Sequence, residues 1–145
     1  MEADIVIFDV DGTLADASAR QHHLKKKPKD WESFFQGIAD DKAIAPMIKL
    51  CNILYQSGVT IILCTGRREQ DRNTTEAWLQ QQGVQYHELR LRRDGDRRHD
   101  TIVKREMLSG LDHNRILFVV EDRRSVVDMW RAEGLTCLQC APGDF

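Results

Sequence analysis

Four apolar residues, Ile5-Val6-Ile7-Phe8, run directly into Asp9-Val10-Asp11-Gly12-Thr13-Leu14, and no other feature of the chain restricts its fold as strongly. An uninterrupted apolar run of this length reads as a strand buried on both faces, the kind found in parallel sheets covered by helices. Such sheets keep their chemistry beyond the carboxyl ends of the strands, where the two aspartates fall. Side chains alternate along extended backbone, so Asp9 and Asp11 are expected to project the same way, with Val10 turned into the core. Two carboxylates so close repel each other unless a cation lies between them or one holds a proton. A hard divalent ion such as Mg²⁺ takes carboxylates, a backbone carbonyl and waters, all of which this turn offers. Asp and Gly also make ordinary turns, but the continuation Gly12-Thr13-Leu14 behind an apolar strand separates this segment from that reading.

Three later segments repeat the pattern of an apolar or helical run next to a polar group. Val59-Thr60-Ile61-Ile62-Leu63-Cys64 ends in Thr65-Gly66-Arg67, which supplies a hydroxyl, an unhindered backbone N–H and a guanidinium able to hold a phosphate. Ile116-Leu117-Phe118-Val119-Val120 ends in Glu121-Asp122, two more acids at a strand tip. Between them, 100–108 reads as a helix with Asp100 at or near its N-cap and Lys104 one turn further on the same side.

The rest of the chain alternates strand and helix. Strands are expected near 4–10, 59–64, 84–91, 116–120 and 135–140, and helices near 44–56, 71–82, 101–108 and 124–133. That alternation predicts an α/β fold, a parallel five-stranded sheet flanked by helices. Pro46 suits the first turn of its helix, while Gly58, Gly83 and Gly134 each stand where a left-handed stop is expected. At 145 residues the chain is expected to form one domain, 1–145, with 15–43 as its one long insertion.

In this order the residues resemble the haloacid dehalogenase (HAD) superfamily of phosphatases, and more closely the 3'-phosphatase domain of polynucleotide kinase-phosphatases. The closer likeness rests on residues 9–15, Arg20, 65–67, Asp100 with Lys104, Glu121-Asp122-Arg123, Val126-Val127-Asp128-Met129-Trp130, and Gly143-Asp144-Phe145. It implies a Rossmann-like HAD fold and Mg²⁺-dependent phosphomonoester hydrolysis through an aspartyl-phosphate. By the same resemblance Asp9 is the nucleophile, Asp11 the general acid and base, Thr65 the phosphate-binding hydroxyl and Lys104 the neutralising cation. Glu121 and Asp122 complete a metal set with Asp9 and Asp11, while Arg20, Gly66, Arg67, Asp100 and Arg123 are expected around the substrate. The implied substrates are phosphorylated DNA or RNA ends, with free nucleotides or another small phosphate ester as the alternative. A non-catalytic nucleic-acid-binding module is a third reading, disfavoured because binding alone does not need this set of residues. The acidic motif is Glu-Asp where that family usually shows two aspartates, and no Gly-x-x-x-x-Gly-Lys-Ser/Thr loop is present, so phosphate removal without a kinase activity is expected.

An insertion as short as 15–43 makes a small cover over the site and not a full cap domain, which leaves room for the end of a polymer. It carries His22, His23, the run Lys25-Lys26-Lys27-Pro28-Lys29, and then Trp31, Phe34 and Phe35, rings whose spacing predicts a short helix packed on the sheet. A second basic stretch, 90–98, leads to Asp100 and is expected to focus positive potential there despite a formal net charge of −2. Cys51, Cys64, Cys137 and Cys140 read as reduced thiols. No apolar stretch approaches membrane-spanning length and no basic segment precedes an apolar one at the start, so no membrane partner is expected and the cytoplasm is the expected compartment. Association into a homo-oligomer stays open.

Overall fold

The computed structural model describes residues 4–145. Strand β1 (Ile5–Phe8) leads through the Asp9–Gly12 turn to β2 (Ala15–Asp16), helix α1 (Trp31–Gln36) and β3 (Lys42–Ala43). The chain then alternates α2 (Ala45–Gln56), β4 (Thr60–Arg68), α3 (Arg72–Gln81), β5 (Glu88–Arg92), α4 (Asp100–Glu106), β6 (Ile116–Glu121), α5 (Arg124–Ala132) and β7 (Cys137–Gln139). The main sheet is parallel throughout, in the order β5-β4-β1-β6-β7.

β1 is buried on both faces, as its unbroken apolar run requires. Ile5 and Ile7 pack with Val103, Val126 and Trp130 from α4 and α5, whereas Val6 and Phe8 pack with Ile48, Cys51, Trp78 and Leu79 from α2 and α3. From β1 the chain builds first toward β4 and β5 and only later toward β6 and β7. The order therefore reverses at β1, and in a doubly wound sheet the crevice opens beyond the carboxyl end of the strand at that switch.

The helix stops match the expected glycines: Gly58, Gly83 and Gly134 all adopt positive φ. Two strand boundaries differ from expectation. β4 continues past Cys64 to Arg68, with a bulge against β5, so Thr65-Gly66-Arg67 is part of the strand and not a turn after it. Residues 84–87 stay outside β5 because the His87 ring takes over a ladder contact: its Nδ1 accepts from the Ile61 amide at 2.9 Å. At α4 the N-cap is His99, whose ring accepts from the Thr101 amide at 3.2 Å, and Asp100 is the first helical residue.

The 15–43 excursion is pinned at its base by antiparallel pairing of β2 with β3. Inside it, Phe34 and Phe35 pack with Ile38 in a small core of their own and not on the sheet as their spacing predicts, and Trp31 stays exposed, because the excursion stands apart from the two sheet faces already filled by α2 to α5. All four cysteines are free. Among the described residues, no helix is long and apolar enough to cross a membrane.

Candidate active site

The turn after β1 separates the two aspartates into different electrostatic surroundings. Asp9 belongs to a buried group with Lys104 from α4 and Glu121 and Asp122 from the end of β6. Lys104 Nζ donates to Asp9 Oδ1 at 2.7 Å and to Glu121 Oε1 at 2.8 Å. Thr13 Oγ1 donates to Asp9 Oδ2 at 3.2 Å. Glu121 is fixed by Trp130 Nε1 at 3.3 Å on Oε1 and by the Asp122 amide at 3.2 Å on Oε2. Gly12, at φ +82°, lets the turn close over Asp122, because a Cβ there would lie 2.0 Å from Asp122 Oδ2.

Three carboxylates against one ammonium leave this buried group electron-rich. Burial and the neighbouring Glu121 push the Asp9 carboxyl well above its ordinary range, although Lys104 opposes them. Burial also pushes Asp122 up to about 6, with Glu121 adding to the shift. Burial works against the Lys104 charge, but Asp9 and Glu121 outweigh it and hold the ammonium protonated. Donor oxygens of Asp9, Glu121 and Asp122 lie within 4.8 Å of one another. An all-oxygen donor set with surplus negative charge suits a hard divalent cation such as Mg²⁺ better than a soft one.

Asp11 is not in that trio. Its carboxylate accepts from Arg67 Nη2 at 2.6 Å and from Arg20 Nη2 at 2.9 Å. The same two guanidiniums bind Asp41, Arg20 through Nη2 at 2.7 Å and Arg67 through Nη2 at 3.2 Å. Two arginines and two aspartates make a neutral network, completed by Thr75 Oγ1 at 3.2 Å from Arg67 Nη1. Burial raises the Asp11 pKa, but Arg67 and Arg20 outweigh it and hold the carboxyl below its ordinary value. Arg67, 0% exposed, and Arg20, 4% exposed, thus face inward onto Asp11 and Asp41, where sequence had suggested contacts to substrate. The physical reason is that a buried guanidinium needs acids around it, and Asp41 supplies them.

Sequence reasoning missed Asp41 altogether. No local pattern marks it, because Asp41 follows the turn Ile38–Asp40 as an extended residue and meets Arg20 and Arg67 only in the folded excursion. It also missed Thr13 as the hydroxyl on Asp9 and Thr75 as the stop behind Arg67.

The remaining expected residues line the rim. Thr65 is buried beside the site and its Oγ1 accepts from the Arg67 amide at 3.1 Å. Gly66 passes close to Asp100: a Cβ there would meet Asp100 Oδ1 at 2.7 Å, so a side chain at 66 would displace that carboxylate. Asp100 is bound by Arg92 and by Arg123 Nη1 at 3.2 Å, without a hydrogen bond to Lys104. Arg92 Nε also donates to the Gly66 carbonyl at 3.0 Å. Three arginines of the 90–98 stretch are therefore already paired, Arg90 with Glu88, Arg92 with Asp100 and the exposed Arg98 with Asp96, while Arg93 and Arg97 stay exposed without such a partner among the described residues.

Comparison with known proteins places the chain in a family. The phosphatase domain of the polynucleotide kinase PNKP matches as a family over residues 3–145. A chain of the Pnkp1/Rnl/Hen1 complex is 31% identical over 99% of this chain, with a TM-score of 0.83. A second structure, of the Pnkp1/Rnl/Hen1 RNA repair complex, is 31% identical over 97%, with a TM-score of 0.84. This chain spans only 48% and 43% of those two chains. A Class C acid phosphatase from Bacillus anthracis with tungstate bound, 17% identical over 99% of this chain and 68% of its own, shares the fold with a TM-score of 0.70. With the family match running nearly end to end, the chain belongs to the HAD phosphatases, in the family of the PNKP phosphatase domain.

Proposed function

We propose that the chain is a Mg²⁺-dependent polynucleotide 3'-phosphatase acting through an aspartyl-phosphate on Asp9. The observation that supports this reading most is the buried Asp9 carboxylate, held at the switch point between the Lys104 ammonium and the Glu121-Asp122 acids. That carboxylate needs a cation to be fully ionised, and once ionised it is a nucleophile in a dry, oriented position. Asp9, Glu121 and Asp122 would hold the metal, which when bound supplies positive charge to the transferring phosphoryl group. Lys104 and the Thr65 hydroxyl would neutralise and orient the phosphate oxygens.

In the first half-reaction the Asp9 oxygen bonds to phosphorus as the ester oxygen leaves. Asp11 rests as a carboxylate between Arg20 and Arg67, so the proton for the leaving oxygen enters on a monoanionic phosphate and passes through Asp11. In the second half-reaction Asp11, again a carboxylate, takes a proton from the water that attacks phosphorus and frees Asp9. The two guanidiniums keep Asp11 ionised for that second role.

Metal binding has a readout apart from turnover. Asp9 and Asp122 have folded-state pKa values above the unfolded carboxyl value of about 3.9, so metal-free stability should fall as pH rises from there through each folded value, which for Asp122 is about 6. Mg²⁺ added at pH 7.5 should raise the melting temperature. Asp122→Asn should raise the metal-free melting temperature by about 2–5 °C and remove most of the Mg²⁺ response. A response to Mg²⁺ of wild-type size in that variant would exclude Asp122 as a ligand.

The substrate is tested by comparing an oligonucleotide 3'-phosphate, its 5'-phosphate isomer and a 3'-mononucleotide across a range of salt. The 3'-oligonucleotide should have the highest kcat/KM, with an advantage that shrinks as salt rises. Equal efficiency on the mononucleotide would favour a nucleotidase, the reading that the inward-facing Arg20 and Arg67 also permit.

A further inference from the structure

The arginines expected around the substrate, Arg20 and Arg67, are consumed by Asp11 and Asp41, and Arg92 is consumed by Gly66 and Asp100. Other cations must therefore hold the strand if the substrate is a polynucleotide. Two exposed cation clusters lie in segments that are tied to site residues: Arg93 and Arg97 between β5 and Asp100, and Lys25, Lys27 and Lys29 between Arg20 and Asp41. Among the described residues neither cluster has a carboxylate within ion-pair distance, and the one pairing in the lysine run is Lys26 with Asp30 at 3.7 Å.

The lysine cluster stands beside an exposed indole, which Lys29 faces. Trp31 opens α1 and is 47% exposed, although Phe34 and Phe35 already supply the packing that seats this helix. Its indole is the outer member of a ladder that starts at the end of β4. Arg68, the last residue of β4, lies 4.4 Å over the Phe35 ring; Phe35 stacks on Trp31 at 6.0 Å and 24°; Lys29 Nζ lies 5.7 Å from the indole centroid. Arg68 also donates to Glu32 at 2.9 Å, so α1 is fastened to the strand that carries Thr65. On the inner side one guanidinium joins the two regions: Arg20 donates to the Phe34 carbonyl at 2.8 Å and to Asp11 at 2.9 Å. Trp31 lies three residues, about 4.5 Å of helical rise, from that contact. The helix that carries the ring is thus fastened through Arg20 to Asp11 and through Arg68 to β4.

We propose that Trp31, with Lys25, Lys27 and Lys29, forms a platform for the single-stranded segment immediately 5' of the terminal phosphate, with a base stacked on the indole and the lysines along the backbone. The inference rests on the polynucleotide reading above. Surplus positive charge beside the ring selects a polyanion over an apolar protein surface, and a flat indole accepts any base without reading sequence.

Two measurements test it. With single strands of one to eight nucleotides ending in 3'-phosphate, wild-type kcat/KM should climb with length, and Trp31→Leu should cut that climb about tenfold while Trp31→Phe keeps most of it. Trp78 and Trp130 are buried, so the indole fluorescence accessible to ligand is that of Trp31, and a 3'-hydroxyl octanucleotide should quench it at low salt and release it at high salt. No hydrolysis of any oligonucleotide 3'-phosphate by the wild type overturns the substrate reading beneath the inference. Hydrolysis without a gain with length, a gain that survives in Trp31→Leu, or unquenched fluorescence overturns the platform alone.

Discussion

Asp9→Asn is expected to lower phosphatase turnover by about 10⁴-fold or more, with the fold intact. The amide keeps the size of the carboxylate and still offers an oxygen to the Lys104 ammonium, now 2.7 Å from Asp9 Oδ1, but it has no charge with which to attack phosphorus. Burial and the adjacent Glu121 already disfavour a charge at this position, so its removal should leave the metal-free melting temperature unchanged or slightly higher. Phosphate release and thermal denaturation measured on the same preparation separate the two effects. Activity within tenfold of the wild type would exclude a covalent intermediate on Asp9.

The sheet and the position of the site were legible because both follow from apolar patterning. β1 is apolar without interruption and buried on both faces, and the charged residues at the ends of β1 and β6 could only collect at the carboxyl edge of a parallel sheet. The helix limits were legible from Pro46 and from glycines that take positive φ. What pattern could not show is polar burial by charge neutralisation. Thr65-Gly66-Arg67-Arg68 looks like a loop because its hydrophobicity stops at Cys64, yet the strand continues because Arg67 is buried against Asp11 and Asp41. Asp41 precedes Arg67 by 26 residues and meets it only after β2 and β3 close the excursion. No local period connects them. The same gap misdirected the reading of Asp9 and Asp11, whose spacing suggested one shared cation. Asp11 has instead two arginine partners, and the surplus negative charge stays with Asp9.

That division makes Lys104, among the described residues, the one protein cation bonded to the Asp9 group, and its removal should be the most destabilising change at the site. Lys104 is 3% exposed, and in Lys104→Met a side chain of similar length fills the space without charge. Asp9, Glu121 and Asp122 are then buried with no compensating ammonium, a situation that costs about 3–5 kcal/mol, or roughly 10–15 °C in melting temperature for a chain of this size. The loss should depend on pH in a defined direction. Without the ammonium the folded-state carboxyl pKa values rise further above their unfolded values, so the folded protein binds more protons than the unfolded chain, and stability falls as pH rises through the folded pKa. The deficit relative to wild type should therefore be larger at pH 8 than at pH 5.5. Mg²⁺ should narrow it at pH 8 by supplying positive charge to the same oxygens. A deficit equal at both pH values and indifferent to Mg²⁺ would mean that Lys104 contributes by packing alone, and the electrostatic account of the Asp9 group would be wrong.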